Sequence, residues 1–157
     1  MKLKVNPEFF KRHLFVTVLM AGLGCWFGYD GLIGYPSMTG EALYRKIEGE
    51  NAVIAEGKDL EAFKRQKIQT QYGFAALALL ASLAVGLHLM KVVRFDFAFD
   101  DDGFVCGGKH HAWSDVKDID RKAWEKKGIM KVDGIVLDAW HHQGVKEFNE
   151  KILSVRG

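Results

Sequence analysis

GFAALALLASLAVGLHLMKVV, residues Gly73–Val93, is the stretch on which the fold turns. No formal charge occurs in it before Lys91, and about 21 helical residues at ~1.5 Å each match the ~30 Å hydrocarbon core of a bilayer. Upstream lies a second apolar stretch, LFVTVLMAGLGCWFGYDGLIGY at Leu14–Tyr35, diluted by Asp30 and five glycines. Its Trp26, Tyr29 and Tyr35 are amphipathic aromatics of the kind enriched at the membrane–water interface. The two stretches predict a two-span helical hairpin over residues 1–93, with an extramembrane helical connection at 37–72. A small sheet-plus-helix domain is expected at 94–157.

The chain has 157 residues, with 22 Lys plus Arg against 20 Asp plus Glu, a formal net charge of +2. Its mean hydropathy of -0.06 averages two apolar blocks with a strongly charged remainder. Such a balance supplies no concentrated basic face, so no nucleic acid is expected as a partner. Cys25 lies in the first span and Cys106 in the C-terminal segment, and both read as thiols rather than as a disulfide. The GLGC at Gly22–Cys25 resembles a bacterial lipoprotein box, but Gly22 stands where that pattern has leucine, so Cys25 reads as an ordinary span thiol. A signal peptide is disfavoured because apolar sequence continues past Cys25 through Trp26, Phe27, Leu32 and Ile33 without a small-x-small cleavage site.

Lys2, Lys4, Lys11 and Arg12 precede the first span, and Lys91 and Arg94 end the second. The connection carries Arg45, Lys46, Lys58, Lys64, Arg65 and Lys67, so the positive residues tie in number. The first span usually dominates, which places both termini in the cytoplasm. Within the spans, Gly24 and Gly28 form a GxxxG, and Ala78, Ser82 and Gly86 recur every four positions. Small residues at that spacing let helix backbones approach closely. His88 reads as an interfacial histidine.

In the connection, Pro36 marks a turn, Ser37 or Thr39 can cap a helix, Glu41 pairs with Arg45, and Leu43, Ile47 and Ile54 share a face. Gly57 interrupts this helix. From Asp59 the pattern resumes with Leu60, Phe63 and the Glu61–Arg65 pair and runs without a breaker into the second span.

After the spans the period changes to two. Val93, Phe95, Phe97 and Phe99 alternate with Arg94, Asp96 and Ala98, the pattern of a half-buried antiparallel strand. Asp102-Gly103 and Asp133-Gly134 predict hairpin turns with positive φ. Further strands are expected in GFVCGG, HHAWSDVKDID, AWEKKGIMKV and GIVLDAW, and VKEFNEKIL predicts a closing helix with Val145, Phe148 and Ile152 on one side. One core should gather Phe95, Phe97, Phe99, Trp113, Val116, Ile119, Leu137, Trp140 and Phe148. The fold class is that of an α+β membrane protein.

The Gly103-Phe104 pair beside a turn and the AWSDVKDID segment, above all Trp113-Ser114-Asp115-Val116, resemble the small bacterial pleckstrin-homology-like domains found beside membrane spans. The resemblance covers Val92–Leu153. It implies a seven-stranded barrel capped by a helix, whereas five strand candidates are counted here, so a partial barrel and another α+β sheet both stand open. It further implies scaffolding, oligomer formation or lipid-proximal binding at a bacterial inner membrane, and it carries over no site residue.

Two histidine pairs, His110-His111 and His141-His142, accompany Asp115 and Asp138. Adjacent residues on a strand face opposite ways, so each pair offers one imidazole to a shared site, and no HExxH or CxxC spacing is present. Asp100-Asp101-Asp102 lacks the length and closing glutamate of a calcium loop. No metal and no cofactor is therefore expected, nor an enzyme, for want of a nucleophile or phosphate motif.

The best local binding candidate is Arg121, Lys122, Trp124, Lys126 and Lys127. Near anionic lipid each cation contributes ~1 kcal/mol while Trp124 enters the headgroups; the competing reading is a solvated hairpin with Trp124 packed against strands. The function expected is a membrane-anchored scaffold or interaction protein whose partners are membrane lipids and a membrane protein or second copy. The alternatives are an accessory subunit of a larger membrane complex and a histidine-based metalloprotein.

Overall fold

The computed structural model describes residues 1–156. The chain divides into two compact units, residues 15–86 and residues 1–14 together with the chain from 87 on.

The helical unit is built on α1 (Pro7–Tyr29) and α3 (Leu60–Val93), with α2 (Gly40–Glu48) between them. The side chain of Asn6 accepts the Glu8 N–H at 3.0 Å, and Pro7 occupies the first helical position, where a missing N–H costs nothing. Asp59 caps α3 in the same way, accepting from Ala62 at 2.9 Å, and α3 runs unbroken into the second apolar stretch as expected. Counted with the turn that follows α1, Pro7–Gly34 and Leu60–Val93 are each long and apolar enough to cross a membrane. The first therefore begins seven residues earlier than Leu14, because charged Glu8 and Arg12 pair at i,i+4 at 3.0 Å and extend the helix through the polar flank.

Close approach of the two helices is carried by small residues. A Cβ added at Gly24 would lie 2.7 Å from the Leu79 side chain, and Ser82 Oγ donates to the Thr17 carbonyl at 2.9 Å. The buried positions of α3 in this unit are Ala75 and Ser82, seven apart, with Ala78, Val85 and Gly86 half-buried between and after them. That is the 3.5-residue period of a helix pair rather than a strict four-residue stripe. Gly28 has open space around it, so the GxxxG contributes one contact position, not two. The opposite faces, including Phe15, Val18, Leu77, Leu80 and Leu83, are exposed.

α2 starts where expected: Thr39 accepts the Ala42 N–H at 3.2 Å, and Arg45 pairs with Glu41 at 3.0 Å. Leu43 and Tyr44 are buried, with Tyr44 meeting the Phe63 ring edge-on at 5.2 Å between centroids. α2 stops at Glu48, well before Gly57: Gly49 takes a positive φ of 108° and its N–H donates to the Arg45 carbonyl at 2.9 Å, so the break expected at Gly57 comes earlier and Ile54 lies outside the helix.

The other unit holds the sheets. β2 (Phe97–Phe99), β3 (Gly103–Cys106) and β4 (Lys109–Ala112) form one antiparallel sheet; β5 (Ile119–Asp120), β6 (Ile129–Val132) and β7 (Ile135–Asp138) form another. A third ladder joins β1 (Lys4–Val5) to β8 (His142–Gln143), with Lys4 opposite Gln143 and Val5 opposite His142. The N-terminus also reaches β2, since Leu3 N–H donates to the Phe97 carbonyl and Phe99 N–H to that of Met1. Residues 1–14 thus belong with the sheets, and the division expected at 93/94 is displaced. A two-residue strand of Lys-Val carries no periodicity from which such long-range pairing could be read.

The core is Leu3, Phe97, Phe99, Phe104, Trp113, Val116, Met130, Val132, Leu137, Val145, Phe148 and Ile152. α5 (Val145–Arg156) covers it, and Phe148 meets Phe97 edge-on at 5.1 Å and Phe104 at 5.8 Å. Phe95 and Ile119 are only partly buried at its border. Trp140, placed in the core from sequence, is 42% exposed and lies edge-on to Phe9 with the Arg12 guanidinium 5.5 Å from its ring.

Two local expectations change. Trp124–Lys127 is a helical turn, not the start of a strand, because Gly128 closes it in the left-handed conformation at φ 65°. Asp133-Gly134 makes the hairpin between β6 and β7 with φ values of 47° and 81°. Asp102-Gly103 does not use positive φ: Asp100 Oδ1 accepts the N–H groups of both Asp102 and Gly103 at 3.0 Å and folds the turn itself. Gly103 is needed for another reason, since its Cβ would sit 2.1 Å from the His111 carbonyl oxygen.

Candidate functional site

A cluster of three imidazoles surrounds Phe9. From α1 come Phe9 and His13, four residues apart, and His13 Nδ1 lies 2.9 Å from the Phe9 carbonyl. His88 comes from the end of α3, and His141 from the turn between β7 and β8. The His88 ring is 5.9 Å from that of His13 and 5.3 Å from that of His141, centroid to centroid. Phe9, itself fully buried, touches all three.

The turn that presents His141 is set by Asp138. Its Oδ1 accepts the Trp140 N–H at 2.7 Å, its carbonyl accepts the His141 N–H at 3.1 Å, and its Oδ2 stands 3.7 Å from His141 Nε2. The His141 carbonyl in turn accepts the Asn6 N–H at 2.8 Å. Burial holds the His141 imidazole below its ordinary pKa; Asp138 opposes this, while charge on His88, His142 or His13 would reinforce it. The site therefore favours neutral imidazole.

Beside it is a cavity of about 450 Å³ lined by His88, Lys91, Phe95, Cys106, Asp138 and His141 among others. Burial, aided by the charge of Asp96, pushes the Cys106 thiol above its ordinary pKa, which keeps it protonated and a poor nucleophile. Among the described residues no group of three or more His, Cys, Asp or Glu is arranged to hold a metal ion. The pairing of one histidine from each sequence pair does not form: His111 stacks on Phe104 at 4.8 Å, whereas His141 joins His13 and His88. Sequence reading singled out His88 and His141 but not His13. Its spacing from Phe9 and the nearby Arg12 carried only the signature of a charged helix flank.

The basic loop is divided by the structure. Trp124 is partly buried and packs against the core, while Lys122, Lys126 and Lys127 are exposed on its outer side. Arg121 is half-buried, with Nε enclosed. The three lysines thus stay exposed, and Trp124 serves the fold.

The packing positions also separate. Gly24, Ser82 and Gly86 face the helix contact, with Gly86 3.5 Å from Thr17 by its added Cβ; Gly28 does not, and Ala78 is half-buried. Comparison with family models, curated proteins and solved structures finds no match to this chain.

Proposed function

We infer that this protein is a membrane-anchored scaffold that displays its α+β unit on the cytoplasmic face. The observation that carries this reading is the course of the chain. Residues 1–5 pair with β2 and β8, so the segment before α1 and the segment after α3 belong to one folded unit, while the apolar stretches between them expose Leu, Val and Phe side chains. Two crossings return the chain to the side it left, which suits a hairpin whose two ends close one domain. The basic flank of α1, Lys2, Lys4, Lys11 and Arg12, selects the cytoplasm as that side.

Two three-stranded antiparallel sheets closed by a terminal helix support a pleckstrin-homology-like reading of the domain, and the exposed Lys122, Lys126 and Lys127 supply its surface toward anionic lipid. Labelling in intact cells tests the arrangement. With Cys25 and Cys106 replaced, single cysteines at Asn51 and Ser154 meet an impermeant reagent that reaches the outer surface of the membrane. Reaction at Asn51 alone is expected; reaction at Ser154 alone overturns the orientation, and extraction of the protein by alkaline carbonate overturns the membrane reading.

A further inference from the structure

In the helical unit, α1 ends in a wide turn. Asp30–Gly34 is π-helical, closed by the Tyr35 N–H to the Asp30 carbonyl at 2.8 Å. The turn holds Asp30 beside Trp26, whose indole N–H donates to Oδ2 at 3.0 Å, and a Cβ at Gly34 would press to 2.9 Å from Oδ1. Trp26, Tyr29, Asp30, Tyr35 and Lys46 line a cavity of about 390 Å³. Tyr35 is fixed in the wall, its hydroxyl accepting from Gln71 Nε2 at 3.0 Å, and the Lys46 ammonium lies 5.5 Å from its ring centre.

This cavity presents two opposite charges that do not cancel. Among the described residues Asp30 and Lys46 form no ion pair with each other. An ionisable residue kept at the end of an apolar span is costly without a counter-charge. A carboxylate also has more acceptor sites than one indole N–H fills. Aromatic faces attract ammonium groups, and a carboxylate beside them adds a full countercharge; a lysine lining the same cavity suits a phosphate. One ligand class carries both charges at short separation and is abundant at this depth.

We propose that the Trp26–Asp30–Tyr35–Lys46 cavity binds the headgroup of a zwitterionic phospholipid, its ammonium against Asp30 and the aromatic rings and its phosphate against Lys46. This rests on the membrane reading above, because the α1 end reaches lipid headgroups only if the helix crosses the bilayer. The carboxylate excludes purely anionic headgroups by like charge, and Gly34 leaves the room that Asp30 needs.

The test uses the full chain in detergent, with retained lipids counted by native mass spectrometry after addition of phosphatidylethanolamine, phosphatidylcholine or phosphatidylglycerol of matched acyl chains. Asp30→Asn preserves the acceptor for Trp26, and Lys46→Met preserves the aliphatic stem. Each is expected to weaken retention of the zwitterionic lipids about 10-fold, while phosphatidylglycerol, excluded by the carboxylate in the parent, is not weakened by either change and is retained more by Asp30→Asn. Equal changes for all three lipids, or none, overturn the proposal. Helical content by circular dichroism confirms that the variants fold, and Trp26→Phe is the second variant should one of them not. Carbonate-resistant membrane integration of the parent separates the outcomes: a protein that integrates but shows no lipid preference refutes the headgroup site alone.

Discussion

His142 Nε2 lies 3.0 Å from the carbonyl oxygen of Val92, fifty residues earlier in the chain. Val92 is in the last turn of α3, where its carbonyl accepts only a long 3.3 Å bond from the Phe95 N–H past the helix end, and His142 is buried on the strand that pairs with β1. One imidazole therefore joins the end of the second apolar helix to the ladder formed by the N-terminus. The bond also fixes the ring, with Nε2 donating. His142→Phe keeps the packing beside Phe95 and removes the donor, so it should cost about 1–2 kcal/mol. Thermal unfolding of the detergent-solubilised chain reads this, and an unchanged midpoint would show that the bond holds nothing.

The imidazole cluster gives the fold a pH dependence of predictable sign. Burial lowers the His141 pKa in the folded state, so the unfolded chain takes up a proton first as pH falls. Its contribution to stability is complete above about 6.5, the ordinary imidazole value, and is lost as pH falls from there through the lowered folded value. His13, His88 and His142 face His141 and add repulsion when charged; Asp138 at 3.7 Å reduces it. Melting temperatures should drop between pH 7.5 and 5.5, and less so in His141→Gln. Parallel curves for the two proteins would remove the cluster as the cause.

How much of this was readable beforehand differs by element. The second apolar helix, the Thr39 cap, the Asp133-Gly134 hairpin and the closing helix follow from signals within a few residues of one another, and local chemistry decides them. Phe97, Phe99, Trp113, Leu137 and Phe148 declared themselves by alternation or helical spacing. By contrast, β1 and β8 are two residues each and exist only through pairing across the chain, and the histidine cluster is assembled from three elements by that same pairing. Trp140 followed strand alternation on paper, but Asp138 turns the chain before it, so the ring leaves the core. The cavity at Asp30 was signalled only by a charge in an apolar stretch; the rings around it depend on a π-helical turn that no spacing announced.

Gly103 offers a sharp test of the β3–β4 pairing. A methyl group there would occupy the place of the His111 carbonyl oxygen, 2.1 Å away, and backbone cannot yield as a side chain does. Gly103→Ala should therefore cost about 3 kcal/mol or more, at the upper end of overpacking effects. Gly22→Ala, with open space around it, is the control and should not destabilise. Comparable melting points for both variants would mean that the two strands do not meet as described.

The exposed lysines and the half-buried tryptophan of the basic loop should part company under mutation. Lys122→Ala with Lys126→Ala and Lys127→Ala leaves the core untouched and should reduce binding to phosphatidylglycerol vesicles by ~1 kcal/mol per lysine. Trp124→Ala should instead lower thermal stability, since its ring packs against the core. Vesicle binding that is indifferent to the triple change would leave the lysines merely solvated.

The two glycines of the GxxxG should behave oppositely. Both substitutions with leucine gain helix propensity, roughly 0.5–1 kcal/mol over glycine. At Gly28 nothing lies within 4 Å of an added Cβ, so Gly28→Leu should be neutral or stabilising. At Gly24 the added atom meets Leu79 at 2.7 Å, and a whole leucine must push α3 away, breaking the Ser82–Thr17 hydrogen bond next along the contact. Gly24→Leu should therefore lower the melting temperature, and the added change Leu79→Ala, which vacates the same space, should restore much of the loss. If Leu79→Ala instead adds its own destabilisation to that of Gly24→Leu, the two residues do not touch and the helix pair crosses elsewhere.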